Sequence, residues 1–190
     1  EAGLLSIDDA VIAARSKAVD LWRGLGRREK VGENLRWLSR LHWYRGEGAL
    51  AGRFADDAVR ELEASGSGVE LATAYSLRSQ LDMLNDRMDE AVDWGRRAID
   101  LAEKHGAAET RAHALNNVGT ALLFSGRSGG RELLEESLAT ALANDLHEHA
   151  ARAYTNLSEY AVVFKEFALA ERTIAEGIAF DTRHDLDSWT

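Results

Sequence analysis

The sequence predicts an all-α protein, a stack of antiparallel helix hairpins that repeats every 40 residues. Three observations lead there. First, the 190 residues contain no proline, where an average usage of about 5% would supply roughly nine or ten. Proline removes a helical donor and clashes with the preceding turn, so its absence over this length favours helix. Second, apolar residues recur at helical spacing. Third, they recur in the same register at each 40-residue step.

Stepping by 40 aligns Ala18, Ala58, Ala98, Leu138 and Ile178, with Val19, Val59, Ile99, Ala139 and Ala179 beside them. Four positions earlier stand Ala14, Phe54, Trp94, Leu134 and Ile174. Spacing of i and i+4 puts these columns on one face of a helix, here termed helix B. In front of each later helix B runs a helix A. Its stripe reads Asn34, Ala74, Ala114, Tyr154; Trp37, Leu77, Asn117, Leu157; Leu41, Leu81, Ala121, Ala161; and Tyr44, Leu84, Phe124, Phe164. These are offsets i, i+3, i+7 and i+10, an amphipathic helical stripe.

The punctuation agrees with the columns. Gly26, Gly66 and Gly106 share the position after helix B, where a left-handed cap is wanted, and Leu146 follows in that column. Gly46, Asp86, Gly126 and Glu166 mark the turn from A to B. Ser6-Ile7-Asp8-Asp9 has the spacing of a capping box. The expected map is a lone helix B at about 6–25, then hairpins at 28–66, 68–106, 108–146 and 148–182. In repeat units this is one array over 1–190: a half repeat 1–27, then repeats 28–67, 68–107, 108–147 and 148–187. A single hairpin cannot bury its own apolar face, so stacked neighbours close the core. The half repeat lacks its helix A and is expected to leave apolar surface uncovered. The start at Glu1 and the end at Ser188-Trp189-Thr190 read as cuts in a larger protein.

Composition excludes several classes. With no cysteine there is no disulfide framework and no thiolate metal site. No run of about 18 apolar residues or signal-peptide pattern occurs, so neither a membrane span nor export is expected, and the expected location is the cytoplasm. The balance of 23 basic and 32 acidic residues, net −9, repels phosphate backbones, so no nucleic acid is expected to bind this segment.

Asn116-Asn117-Val118-Gly119 and Thr155-Asn156-Leu157-Ser158 resemble the Asn-apolar-small signature in helix A of tetratricopeptide repeats. Gly126, and Glu90-Ala91 followed by Ala98-Ile99, are similar to that family's turn glycine and small helix-B residues. The period exceeds the family's 34 residues, and Arg131 and Glu171 stand where Ala51 and Ala91 do. The resemblance is to the superfamily and implies a right-handed superhelix with helix A on the concave face. More narrowly, the phrases 34–41, 113–120 and 150–157 resemble the repeat region of large actinobacterial LuxR-type regulators. In that group an ATPase precedes the repeats and a helix-turn-helix follows them. The resemblance implies a regulator's sensor or interaction arm, acting in signal transduction together with other domains of its parent chain.

On helix A, positions 33, 36, 40 and 43 fall opposite the packing stripe at 100° per residue. Their columns read Glu33, Thr73, His113, Ala153; Arg36, Ser76, Asn116, Asn156; Arg40, Gln80, Thr120, Tyr160; and Trp43, Met83, Leu123, Val163. The last column is apolar throughout. It is either the floor of a groove or a surface packed on the following helix B. Arg36 and Arg40, beside Trp43, suit a carboxylate or phosphate; otherwise they pair with Glu33 and Glu47. Asn116, Asn117 and Asn156 suit a peptide backbone, or else bonds between adjacent helices. The candidate binding face is therefore Arg36, Arg40, Trp43, Gln80, Met83, His113, Asn116, Asn117, Thr120, Asn156 and Tyr160. Its expected partner is a peptide, a protein or a small inducer, with no cofactor.

No catalytic constellation stands out, and no enzyme is expected. His147 and His149, at i and i+2, point to different sides of a helix and make a poor metal pair. Gly126-Arg127-Ser128-Gly129-Gly130-Arg131 lacks the Lys-Ser/Thr ending of a phosphate loop and sits in a turn column. The alternative function is a scaffold without a ligand, forming a homodimer through its half repeat.

Overall fold

A computed structural model describes residues 9–186. Ser6, Ile7 and Asp8 of the expected capping box, and the expected cut at Ser188 to Thr190, lie outside the described residues. Within them α1 (Asp9–Gly24) stands as a single helix B. Four hairpins follow: α2 (Arg28–Tyr44) with α3 (Gly48–Ser65), α4 (Gly68–Met83) with α5 (Met88–Lys104), α6 (Ala108–Phe124) with α7 (Gly130–Ala143), and α8 (His147–Val163) with α9 (Phe167–Arg183). No strand occurs among the described residues.

The layers follow from which helices touch. Successive A helices contact one another, α2 to α4, α4 to α6 and α6 to α8, and each helix B contacts the helix A after it. No two B helices meet. The A helices therefore form the tight inner layer and the B helices the splayed outer one. The helix-A face is the concave face.

The turns are closed by a bond from each backbone N–H to the carbonyl five residues back, the Schellman arrangement. From A to B these are Glu47 to His42, Arg87 to Asp82, Arg127 to Leu122 and Glu166 to Ala161, at 2.9, 2.9, 2.8 and 2.8 Å. From B to A they include Arg27 to Trp22, Ala107 to Ala102 and Leu146 to Ala141, at 2.9, 2.9 and 3.0 Å. Left-handed residues sit at Gly26, Gly46, Gly66, Asp86, Gly106 and Gly126, as the columns predict. The last two differ from expectation: the structure uses Asp145 (φ 54°) and Lys165 (φ 62°), one residue ahead of Leu146 and Glu166.

The period thus drops one residue, and the turn bonds locate the loss between Arg127 and Ala141. Gly129, at φ 87°, makes an additional turn there, so that α7 begins at Gly130 and runs 14 residues where α5 runs 17. Downstream, equivalent residues stand one position earlier. Buried Ala51, Ala55, Ala58 and Leu62 of α3 match Ala91, Gly95, Ala98 and Ala102 of α5 and Gly130, Leu134, Ser137 and Ala141 of α7. In α9 the matching Ala170, Gly177 and Asp181 are buried while Ile174 and Ile178 are exposed. Gly130 and Ala170, not Arg131 and Glu171, are the counterparts of Ala51 and Ala91. At the position of Ala51 every hairpin carries a small buried residue, while Ile174, the counterpart of Ala55, Gly95 and Leu134, stays exposed.

Those small residues are where helix A crosses helix B. Ser39 donates to the Ala51 carbonyl at 2.8 Å and Ser79 to the Ala91 carbonyl at 2.7 Å. In the third hairpin Gly119 meets Gly130, so closely that a Cβ on Gly119 would lie 2.8 Å from the Gly130 carbonyl oxygen. Gly119→Ala is expected to destabilise the protein by about 1–3 kcal/mol through this overpacking. Gly52→Ala, in a helix interior with open space around it, is expected to stabilise by about 0.5–1 kcal/mol. Urea unfolding of both variants checks the contrast, and equal effects would contradict the crossing.

Candidate functional site

The concave face is built by α2, α4, α6 and α8. With the dropped residue included, the column Glu33, Thr73, His113 continues to Arg152 instead of Ala153, and Asn117 pairs in register with Asn156. Contacts between inner helices confirm this register. From α4 to α6 they run Thr73 to Thr110 at 2.9 Å and Ser76 to His113 Nδ1 at 2.7 Å. From α6 to α8 they run His113 to His149, rings 5.6 Å apart, and Asn156 to Asn116 and Thr120 at 2.7 and 3.1 Å.

The apolar column belongs to the core. Trp43 packs on Ala51, Ala55 and Leu81, and Met83 on the cluster of Ala91, Val92 and Val118. Of the two sequence readings, packing on helix B is the one the structure contains, because the hairpin crossing lies directly beneath these residues. Tyr160 donates to Glu166 at 2.7 Å in the turn between α8 and α9 and sits against Leu123, Leu134 and Leu157. Asn117, 1% exposed, donates to the Ser76 carbonyl at 3.0 Å and ties α6 to α4. Trp43, Met83, Tyr160 and Asn117 therefore do not line the groove.

Arg36, Arg40, Gln80, His113, Asn116, Thr120 and Asn156 remain on the inner layer. The aromatic neighbours of the two arginines are Trp37 and Tyr44, not Trp43: the Arg36 guanidinium carbon is 5.4 Å from the Trp37 ring centre, and that of Arg40 is 6.0 Å from Trp37 and 5.5 Å from Tyr44. Their acidic neighbours also differ from expectation. Arg36 pairs with Glu70 of the next repeat at 3.4 Å, while Glu33 binds Lys30 and Glu47 binds His42 and Arg45. Arg40 donates to the Tyr44 hydroxyl at 3.0 Å.

Two residues that sequence reasoning left out complete the site. Arg152 enters through the register change, and His149, dismissed as half of a metal pair, faces His113 and lies 3.5 Å from Glu109. The signal for Arg152 was the Gly129-Gly130 pair, which marks the dropped residue. Among the described residues no group of side chains suits a metal ion, and no helix is long and apolar enough to cross a membrane.

Three arginines, Arg36, Arg40 and Arg152, stand on this face together with Glu70, Glu109 and Glu148. Burial, then the charges of Arg152, His149, Arg40 and Arg36, push the His113 pKa well below the usual histidine range. Burial and then Arg152 lower that of His149, against the pull of Glu109 and Glu148. Burial and then Arg40 lower even Arg152, with Tyr44 and Glu148 opposing. Three buried polar atoms here have no hydrogen-bond partner among the described residues: Arg36 Nε, Asn116 Nδ2 and His149 Nδ1. An unsatisfied buried donor costs about 1–3 kcal/mol; Arg36 Nε and Asn116 Nδ2 are donors, whereas His149 Nδ1 accepts in the neutral tautomer whose Nε2 faces Glu109.

Both histidines are lowered, so below the unfolded value of 6.5 the unfolded chain binds protons that the folded chain does not. Stability is therefore complete above about pH 6.5 and declines as the pH falls through it. Thermal unfolding followed by circular dichroism is expected to show a lower Tm at about pH 5.5 than at about pH 7.5. His113→Gln is expected to flatten part of that decline, and an unchanged profile would contradict the assignment.

No protein-family model matches the chain, and no curated protein is detectably similar. Solved structures do match. BtubC from P. vanneervenii aligns with a TM-score of 0.75 at 20% identity, over 94% of this chain and 74% of its own. A putative kinesin light chain of nearly identical TPR-like repeats, from Podospora anserina, aligns at 0.68 and 14%, over 93% and 88%. A signal-transduction ATPase with numerous domains (STAND) and a tetratricopeptide-repeat sensor, from Pyrococcus horikoshii, aligns at 0.74 and 13%, over 98% of this chain. This chain spans 30% of that protein's length. At these identities the likeness concerns the fold. Together with the crossings, turns and layers described above, it identifies the chain as an all-helical array of TPR-like hairpins.

Proposed function

We infer that the chain is a non-catalytic interaction module that receives a peptide, a partner protein or a small inducer in its concave groove. The observation that carries this reading is that buried polar atoms on three of the four inner helices lack a partner among the described residues: Arg36 Nε, Asn116 Nδ2 and His149 Nδ1. Groups buried without partners on a concave surface are the ones a ligand satisfies. The reading extends to a parent protein: the arm of a bacterial transcriptional regulator, in which occupancy shifts its contacts with neighbouring domains. The LuxR-type phrases support that placement. So does the likeness to a STAND protein with a tetratricopeptide-repeat sensor.

A test replaces Arg36, Arg40 and Asn116 together, as Arg36→Ala, Arg40→Ala and Asn116→Ser, and compares binding to a panel of random peptides and small metabolites. The native chain is expected to select ligands that the variant of unchanged helicity does not. Equal selection by both would remove the groove from the function.

One observation favours a second reading, a self-associating scaffold. Among the described residues helix α1 packs on α2 alone, and Val11, Leu21 and Leu25 are exposed by 45%, 59% and 69%. If this face joins two copies, sedimentation is expected to show a dimer that Val11→Glu or Ala18→Glu disperses. A monomer at all concentrations would leave the ligand-binding reading alone.

A further inference from the structure

One turn of the array is built differently from the rest. In the other turns between helices a backbone N–H reaches the carbonyl five residues back, as Ala107 does to Ala102 and Leu146 to Ala141, at 2.9 and 3.0 Å. Among the described residues the turn from α3 to α4 is the one that lacks this bond. Ser65 intercepts it. Its hydroxyl donates to the Leu62 carbonyl at 2.9 Å, and the Ser67 N–H donates to that hydroxyl oxygen at 3.3 Å. A short polar side chain here competes with the backbone for its own turn. Gly66, at φ 70°, has nothing within 4 Å of where a Cβ would stand, so the bend is both open and permissive. Gly68 is the opposite case. A Cβ on it would lie 2.2 Å from His105 Nε2, which seats the start of α4 on its own hairpin.

The joint spanned by this turn is also the least firmly held. Of the junctions between successive inner helices, that of α2 with α4 is the least extensive. Of those between an outer helix and the inner helix after it, α3 with α4 is the least extensive. Among the described residues the side-chain bonds across the joint all end on a carboxylate: Arg36 on Glu70 at 3.4 Å, Ser67 on Glu29 at 3.2 Å, Tyr75 on Glu63 at 2.8 Å, and Arg78 on Asp56. Partly exposed ionic links are weak and screened by salt. The later joints add uncharged bonds in the inner layer: Thr73 with Thr110 at 2.9 Å, Asn117 to the Ser76 carbonyl at 3.0 Å, and Asn156 to Asn116 at 2.7 Å. Helices α5 and α6 approach so closely that a Cβ on Gly95 would meet Val118 at 2.2 Å. What remains across the α3–α4 joint is apolar packing, Leu81 with Ala51 and Ala55, and Ala74 with Val59 and Leu62. Such contacts are non-directional and persist through a small rotation.

We propose that the array bends at this joint, a part made of α1 to α3 swinging on a part made of α4 to α9 about Gly66 and Ser67. Hinges are a few loop or terminal residues that absorb the change in φ and ψ. The first part carries Arg36 and Arg40, and the second carries His113, Asn116, Thr120 and Asn156. The swing opens and closes the inner face between them, and the ionic links make its amplitude rise with salt. This motion belongs to the chain itself, with or without a ligand on that face.

The chain has no cysteine, so pairs of spin labels can be placed at chosen sites. Arg60, Asp100 and Ala139 are exposed and equivalent positions on α3, α5 and α7. One labelled chain carries Arg60→Cys with Asp100→Cys, the other Asp100→Cys with Ala139→Cys. Pulsed electron-spin distances are expected to be spread about twice as widely in the first pair as in the second. From about 0.1 M to about 1 M salt the first distribution is expected to widen while the second stays fixed. Ser65→Ala, which frees the Leu62 carbonyl for the Ser67 N–H, is expected to narrow the first distribution, and Glu70→Gln to widen it at low salt. Equal widths, equal broadening with salt, or a first distribution that neither substitution changes would overturn the hinge. Should a labelled chain fail to fold, amide exchange in the native chain decides. The Ser67 N–H is expected to exchange about tenfold faster than those of Ala107 and Leu146, and equal protection overturns the proposal.

Discussion

The first three hairpins depend on a close crossing between one small residue of helix A and one of helix B. Ser39 reaches the Ala51 carbonyl, Ser79 reaches that of Ala91, and Gly119 lies against Gly130. A larger side chain at any of these positions would push the two helices apart, since packed interiors have little room to yield. The approach determines how steeply A lies on B, and through the A-to-A contacts it determines the curvature of the inner layer. Gly95 shows the same economy of space between hairpins, since a Cβ there would meet Val118 of the next one at 2.2 Å.

Curvature of this kind has an electrostatic consequence. Side chains that would be neighbours only along one helix on a flat surface are directed toward a shared space on the inner layer. Arg36, Arg40, His113, His149 and Arg152 come from three helices, and the charges of the arginines bear on the protonation of His113. Polar groups at such a surface are satisfied by a neighbour, by water or by a ligand. The Asn156, Asn116 and Thr120 chain satisfies some of them between helices. The Arg36, Asn116 and His149 atoms left over are those on which the binding proposal rests.

Much of the fold was legible because its signal is periodic. The helix positions, the turn glycines and the division into A and B helices follow from columns that repeat, and each column is read four or five times. The candidate face was less legible. Its columns were counted by a constant step of 40, and the loss of one residue beside Gly129 shifted every later column. Ala153 therefore took the place of Arg152 in the column of His113, and Arg131 and Glu171 were read as departures from a pattern that Gly130 and Ala170 keep. Trp43 and Met83 were ambiguous for another reason: an apolar residue looks the same in sequence whether it lines a groove or packs beneath it.

The sequence by itself determined that this chain is an array of helical hairpins, where each helix lies and which positions must be small. Those properties depend on local propensity and on contacts repeated at a near-constant interval. Only the tertiary structure decided which residues share the concave space, which charges face one another across it and which buried donors lack partners. Residues such as His113 and His149 are far apart along the chain, and the packing of successive inner helices brings their rings to 5.6 Å. A single dropped residue changes that pairing without disturbing any one helix.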